Sequence, residues 1–206
     1  MALPEYEKIA NSVRNVGPEV TPNLALIEES TAIGEVAVLY DHFRTHFGRP
    51  DVPGILKCFA THPPLLRTMM DLSEHLLFSE SALGRKHKEM IAVFVSTQNS
   101  CPYCADSHGF FLRVHGGSSE TLTALQNNDL CSPGLNPAEQ ELLRLAKNVN
   151  LNSHEISRGD VDLLMDSGWT ELQVAEAVHI ASLFATFNRV ANAFGLQSQG
   201  LLALYD

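Results

Sequence analysis

Positive charge is scarce in this sequence. Fourteen Lys and Arg stand against twenty-four Asp and Glu among 206 residues, a formal charge of −10. Surfaces that bind nucleic acid or anionic lipid meet phosphates with clustered Lys and Arg, and no such cluster occurs. The densest basic run, Arg85-Lys-His-Lys88, reads as the exposed first turn of a helix. Long apolar runs are missing as well. The longest, Met90-Ile-Ala-Val-Phe-Val95, falls far short of the roughly 20 residues that cross a bilayer. The first residues, MALPEYEKIANSV, have neither the basic nor the apolar region of a secretory signal. These absences predict a cytoplasmic protein with no nucleic-acid and no membrane partner. Cysteine is sparse: Cys58, Cys101, Cys104 and Cys131. Thiols in a reducing compartment do not form a disulfide framework, so a closely spaced pair points to metal binding or redox chemistry. No glycine-rich phosphate loop and no low-complexity tract is visible, so neither a nucleotide cofactor nor disorder is expected.

What is present is helical patterning in a chain of the right length for one well-cored domain. Apolar residues recur at three- and four-residue steps from Leu24 to Phe47, with Gly34 and Gly48 as breaks. A short helix is expected within residues 50–60, and Pro63-Pro64 opens another with an apolar stripe at Leu66, Met69, Met70, Leu72 and Leu76. Asn136-Pro-Ala-Glu139 is a helix start, and Thr170-Glu-Leu-Gln173 a capping box before a run that ends at Gly195. A short segment from Val161 to Ser167 closes at Gly168. Only Ile91-Ala-Val-Phe-Val95 resembles a strand, and a lone strand has no partner for its backbone. The expected fold is therefore all-α, a single helical domain over residues 1–206, with about the first 34 residues, including Gly17-Pro18, as an extension.

The segment Asn99-Ser-Cys-Pro-Tyr-Cys-Ala-Asp-Ser-His108 carries the chemistry. Pro102 suits the first turn of a helix, which predicts a start at Cys101-Pro102 and an end near Val114, before Gly116-Gly117. Cys101, Cys104 and His108 then share one face. Both sulfurs lie at the positive end of the helix dipole, where a thiolate is favoured over the free-thiol pKa of about 8.5. A second helical run, Arg85 to Gln98, precedes the break at Asn99-Ser100. Folded as a hairpin about that break, the two runs bring Glu89 opposite His108. A carboxylate, an imidazole and a thiol pair would then stand together as base, relay and nucleophile. Taken alone, Glu89 reads as a surface acid at a helix start.

Glu89, Cys101, Cys104 and His108 resemble the E-x11-C-x2-C-x3-H signature of the alkylhydroperoxidase D-like proteins, members of the carboxymuconolactone decarboxylase superfamily. The flanking text, RKHKEMIAVFVSTQNSCPYCADSHGFFLRVHGG and GWTELQVAEAVHIASLFATFNRVANAFG, is similar too, and the resemblance spans about residues 35–206. It implies an all-helical fold built around the hairpin that carries the CxxC pair, a homo-oligomer (a trimer or hexamer), and thiol peroxidase or disulfide-reductase chemistry. Carried over by position, Cys104 is the peroxidatic cysteine and Cys101 the resolving one. Glu89 and His108 form the relay that generates the Cys104 thiolate. The implied partners are a hydroperoxide substrate and a lipoyl or thioredoxin-like dithiol donor, with no metal or organic cofactor. Tyr103 departs from the family's best-known member, which has a histidine before its second cysteine.

Other readings attach to the same residues. CPYC is also a glutaredoxin signature, but that fold needs it after a strand in a βαβ unit. Cys101, Cys104 and His108 are three zinc ligands in search of a fourth, with Cys131 or Cys58 as candidates; a structural zinc site, or a non-catalytic redox sensor or scaffold, is the alternative function. Lactone decarboxylation needs no thiols. Elsewhere, His42, His46, His75, His87 and His154 read as surface or packing residues, and His179 as a core histidine. Arg189 reads as a partner for a carboxylate. Glu176 stands twelve residues before Asn188, as Glu89 stands before Cys101, a faint internal echo of the hairpin.

Overall fold

Side-chain caps set where four of the described helices begin. The computed structural model describes residues 21–205; of the expected extension over about the first 34 residues, residues 1–20, with Gly17-Pro18, lie outside them. Nine α-helices follow in chain order among the described residues: α1 (Gly34–Phe47), α2 (Gly54–Phe59), α3 (Pro63–Ser73), α4 (Arg85–Gln98), α5 (Pro102–Val114), α6 (Ser119–Gln126), α7 (Pro137–Leu151), α8 (Arg158–Asp166) and α9 (Glu171–Phe194). None of the described residues forms a strand. Asn136 and Glu139 bond each other's backbone N–H at 2.9 and 3.0 Å at the start of α7. Thr170 and Gln173 do the same for α9, and Ser157 with Asp160 for α8. Such caps satisfy amides that a helix start leaves without partners. The α9 helix ends at Gly195, whose φ of 79° lies in the left-handed region that glycine enters without strain.

The strand-like stretch Ile91–Val95 lies inside α4. Every residue from Met90 to Val95 is at most 1 % exposed, so the helix is apolar all round because it is covered all round. It packs most extensively on α5, and α9 packs on both α4 and α7. Phe184 of α9 is fully buried and meets the His108 ring edge-on, 4.5 Å between centroids. A second cluster joins α1, α2 and α3 to Phe110, Phe111, Leu183 and Phe187. The CxxC segment sits where α2, α5 and α9 meet, in a small cluster of Cys58, Cys101, Tyr103, Cys104, Ala191 and Leu196.

Four sequence expectations are corrected. The helical pattern from Leu24 to Ile33 is not a helix: α1 begins at Gly34, which has φ of 58°. Residues 21–33 run as an irregular strap held by polar anchors. Tyr40 donates to the Ile27 carbonyl at 2.8 Å, and Glu29 accepts the Val52 N–H at 3.0 Å. Arg85-Lys-His-Lys88 is not an exposed turn, since Lys88 is buried and donates to the Ser79 carbonyl at 3.0 Å. His179 is exposed rather than in the core, and Arg189 bonds the Ala185 carbonyl of its own helix rather than a carboxylate. Two elements went unexpected: α6, capped by Ser118, and a π-helical turn, Glu74–Phe78, that continues α3.

Removing the Phe184 ring opens a cavity between α9 and the hairpin. Phe184→Ala should lower unfolding stability by about 3–5 kcal/mol, read as a drop in urea midpoint with an unchanged slope.

Candidate active site

The turn between α4 and α5 fixes the thiol pair. Ser100 adopts a left-handed φ of 49°, and the Cys101 N–H returns to the Ser96 carbonyl at 2.9 Å while the Ser100 N–H bonds the Thr97 carbonyl at 3.0 Å. This is a Schellman closure with serine where glycine is usual, a conformation costing roughly 1 kcal/mol for a residue with a Cβ. Asparagines from two other helices clamp it. Asn192 of α9 donates to the Asn99 carbonyl at 3.0 Å, and the Asn99 amide bonds both Asn150 of α7 and Asn188 of α9 at 3.0 Å. Cys101 therefore caps α5, and Cys104 sits one turn in.

All four expected residues converge. Glu89 is 0 % exposed, deep beneath the surface its position at a helix start suggested. One oxygen accepts Arg85 Nε at 2.6 Å and the other meets His108 Nδ1 at 2.6 Å. Burial alone would raise its pKa, but the Arg85 and His108 charges and hydrogen bonds outweigh burial and bring it down to about 2. A carboxylate so held can only accept, so His108 Nδ1 carries the proton and Nε2 remains for other partners. Arg85 was not foreseen. It stacks over Phe78 and Phe111, 4.8 and 5.8 Å from their centroids, and its spacing four residues before Glu89 was the available signal.

The two thiols differ. Cys101 and Cys104 are 1 % and 3 % exposed. The Cys104 thiol is the largest influence on Cys101; with the Asn188 side chain and the α5 amides of Cys104 and Tyr103 it outweighs burial and lowers the Cys101 pKa to about 7. Cys104, donating to Cys101 and buried, is pushed well up. Of the two sulfurs, Cys101 is therefore the one that loses its proton more readily. Cys58 shares the cluster, and burial pushes its thiol up to about 12. Cys131 is exposed, outside the cluster. Among the described residues no group of three or more His, Cys, Asp or Glu is arranged to hold a metal ion, and none of their helices is long and apolar enough to cross a membrane.

Cys104 and His108 line an open pocket. Phe43, Phe47, Phe78, Phe111 and Phe187 are among the side chains of its wall, and Tyr103, whose hydroxyl accepts the Ile55 N–H at 3.2 Å, lines it beside Cys104. Burial first, then the neighbouring thiols, hold that hydroxyl protonated. The segment after α9 forms part of the rim through Gln199 and Leu201. Asp106 holds it there by accepting the N–H groups of Gln199, Leu201 and Leu202 at 2.9–3.1 Å.

Residues 63–126 match the model of the carboxymuconolactone decarboxylase family. The chain is similar to an uncharacterized peroxidase-related protein from Silicibacter sp. TM1040, with 27% identity and a TM-score of 0.74, covering 86% of this chain and 91% of that one. It also resembles a protein from Ralstonia eutropha JMP134 described as an alkylhydroperoxidase AhpD core, at 23% identity and a TM-score of 0.77, covering 88% and 94%. The debrominase Bmp8 shares the fold at 16% identity and a TM-score of 0.68, covering 92% and 99%.

Glu89 stabilises the fold through its charged form. Its folded pKa lies below the unfolded carboxyl value of about 4.3, so that stability is present above the unfolded value and is lost as pH falls towards about 2. Glu89→Gln should cost about 3–5 kcal/mol near neutral pH. In urea titrations at stepped pH, the gap to wild type should shrink steadily below about pH 4.3.

Proposed function

We propose that this chain, which resembles alkylhydroperoxidase D-like proteins of the carboxymuconolactone decarboxylase superfamily, is a thiol-dependent peroxidase cycling Cys101 and Cys104 between dithiol and disulfide. The observation that carries this reading is the placing of Cys104 in an apolar pocket beside a histidine anchored on a buried carboxylate. His108 Nε2 takes the Cys104 proton, and the thiolate attacks the peroxide. A sulfur–oxygen bond forms, the oxygen–oxygen bond breaks, and the departing alkoxide recovers the proton from His108. Cys104 is left as a sulfenic acid. The Cys101 thiolate then attacks the Cys104 sulfur, expelling hydroxide that leaves as water once protonated by solvent. An external dithiol supplies two electrons and two protons to restore the pair.

The pocket argues for an organic hydroperoxide rather than hydrogen peroxide, since its phenyl-lined wall contributes binding only to an apolar body. The electron donor belongs to the lipoyl or thioredoxin-like class. With both sulfurs so little exposed, a slender dithiol arm entering by the pocket fits better than a flat protein surface. A reducing, cytoplasmic setting suits the cycle, and assembly into a trimer or hexamer accompanies it.

One equivalent of cumene hydroperoxide added to reduced, chelator-washed protein should consume two thiols, mapped to Cys101 and Cys104. Cys104→Ser should lose the reaction outright, while Cys101→Ser should stop at a dimedone-reactive sulfenic acid. Equal, undiminished thiol loss in both variants would overturn the reading.

A further inference from the structure

A single carboxylate hangs the segment after α9 across the rim of the pocket. Asp106 Oδ2 accepts the N–H groups of Gln199 and Leu201 at 3.1 and 2.9 Å, and Oδ1 accepts that of Leu202 at 3.0 Å. Among the described residues, no other hydrogen bond ties the backbone of residues 197–203 to another element. Gly200 bonds the Ser198 side chain, and Leu204 and Tyr205 bond Leu201 and Leu202. Burial divides the segment at the same place. Residues 197–200 are exposed, whereas Leu201 is buried, joins the cluster of Phe110, Phe111 and Phe187, and lines the pocket with Gln199. Three positions of α5 receive the segment, at i, i+3 and i+7 along one face. Asp106 holds its N–H groups. Gly109 presents bare backbone to Leu202, whose Cδ2 would lie 3.4 Å from a Cβ there. Arg113 stands over the Tyr205 ring, 4.7 Å from its centroid. Cys104 and His108 occupy another face of the same helix.

We propose that residues 197–201 are the gate of this pocket, latched by Asp106, and that they set the size of molecule that reaches Cys104. The closed gate admits a slender organic hydroperoxide and holds out one with a broad body. This rests on the peroxidase reading for its substrate, but the gate itself does not. Cys104 lines the pocket yet is only 3 % exposed, so access to its sulfur depends on the rim. The latch is concentrated in one group. Three N–H donors share one anion, so removing that anion frees the segment from Gln199 to Leu202 in one step. A segment with an exposed arch and so few backbone anchors opens at less cost than the helices beneath it. Opening withdraws Leu201 from the wall and leaves the α4–α5 hairpin as it is. Asp106 lies two residues beyond Cys104 on α5, so the latch and the sulfur keep a fixed relation.

The test uses two maleimides with the same reactive group and different bodies, N-ethylmaleimide and N-(1-pyrenyl)maleimide. Their rates of attachment to the Cys101–Cys104 pair of reduced protein are followed by peptide mass mapping. A Cys131→Ser background keeps the exposed thiol from consuming reagent. Taking the ratio of the two rates cancels the reactivity of the thiols themselves. In Asp106→Ala the pyrenyl rate relative to the ethyl rate should rise about tenfold, the gain in open population expected from losing even one charge-assisted hydrogen bond. Leu201→Ala keeps the latch and shortens the side chain at the rim. It should move the ratio in the same direction, and it provides the reading if the Asp106 variant does not fold. Folded variants with an unchanged ratio, or with both rates raised alike, overturn the proposal. Triphenylmethyl hydroperoxide against cumene hydroperoxide, scored by loss of the two thiols, should follow the maleimide ratio. Protein inert to both peroxides, whose maleimide ratio still rises in the variants, would instead overturn the peroxidase reading and leave the gate standing.

Discussion

A carboxylate with no access to water organises this molecule. Glu89 is buried beneath the α4–α5 hairpin, and an ionised acid there is tolerable only with both oxygens engaged. Arg85 and His108 engage them at 2.6 Å each. The two bonds have different consequences. The first ties up a cation that would otherwise need its own solvent, helped by the Phe78 and Phe111 rings. The second spans the hairpin and chooses the tautomer of the histidine that lines the pocket. One buried charge thus couples the packing of α4 against α5 to the chemistry offered at the pocket wall.

The thiol pair depends on a second constraint, the tight turn at Asn99-Ser100. Its left-handed serine and returned hydrogen bonds aim the start of α5 at the centre of the fold. Asparagines supply the clamp because an amide both donates and accepts, so a short chain of them can satisfy every buried group between three helices. The outcome is a division between two cysteines three residues apart. Cys101 lies among donors and away from the pocket, while Cys104 lies on the pocket wall and keeps its proton. In the proposed cycle that difference separates the sulfur that meets substrate from the sulfur that resolves it.

Much of the fold was legible wherever a local rule governed it. Pro102 started α5, the Asn136 and Thr170 boxes started α7 and α9, and Gly195 ended α9, because caps are decided within four residues. Patterns that depend on distant cover were misleading. Ile91–Val95 resembled a strand because its apolar side chains run without a break, which is what burial on every side permits in a helix. Leu24 to Ile33 kept helical spacing yet formed a strap, since its anchors, Tyr40 and Val52, lie elsewhere in the chain. Lys88 and Glu89 looked like solvent-facing charges at a helix start, and the Ser79 and His108 partners that receive them in the interior lie on other elements.

The family resemblance added Glu89 to the site, while by itself the sequence determined that this chain is helical, that a break at Asn99-Ser100 separates two helical runs, and that Cys101, Cys104 and His108 share one helix face. Spacing and capping suffice for that, since helix geometry maps residue number onto face and depth. Only the tertiary structure decided which groups surround those four. It brought Asn188 from α9 onto the Asn99 turn, His108 onto Glu89, and five phenylalanines from three helices and a π-helical turn to the pocket that Cys104 lines. Protonation in a buried site is set by every dipole and charge within a few ångströms, wherever in the chain it originates.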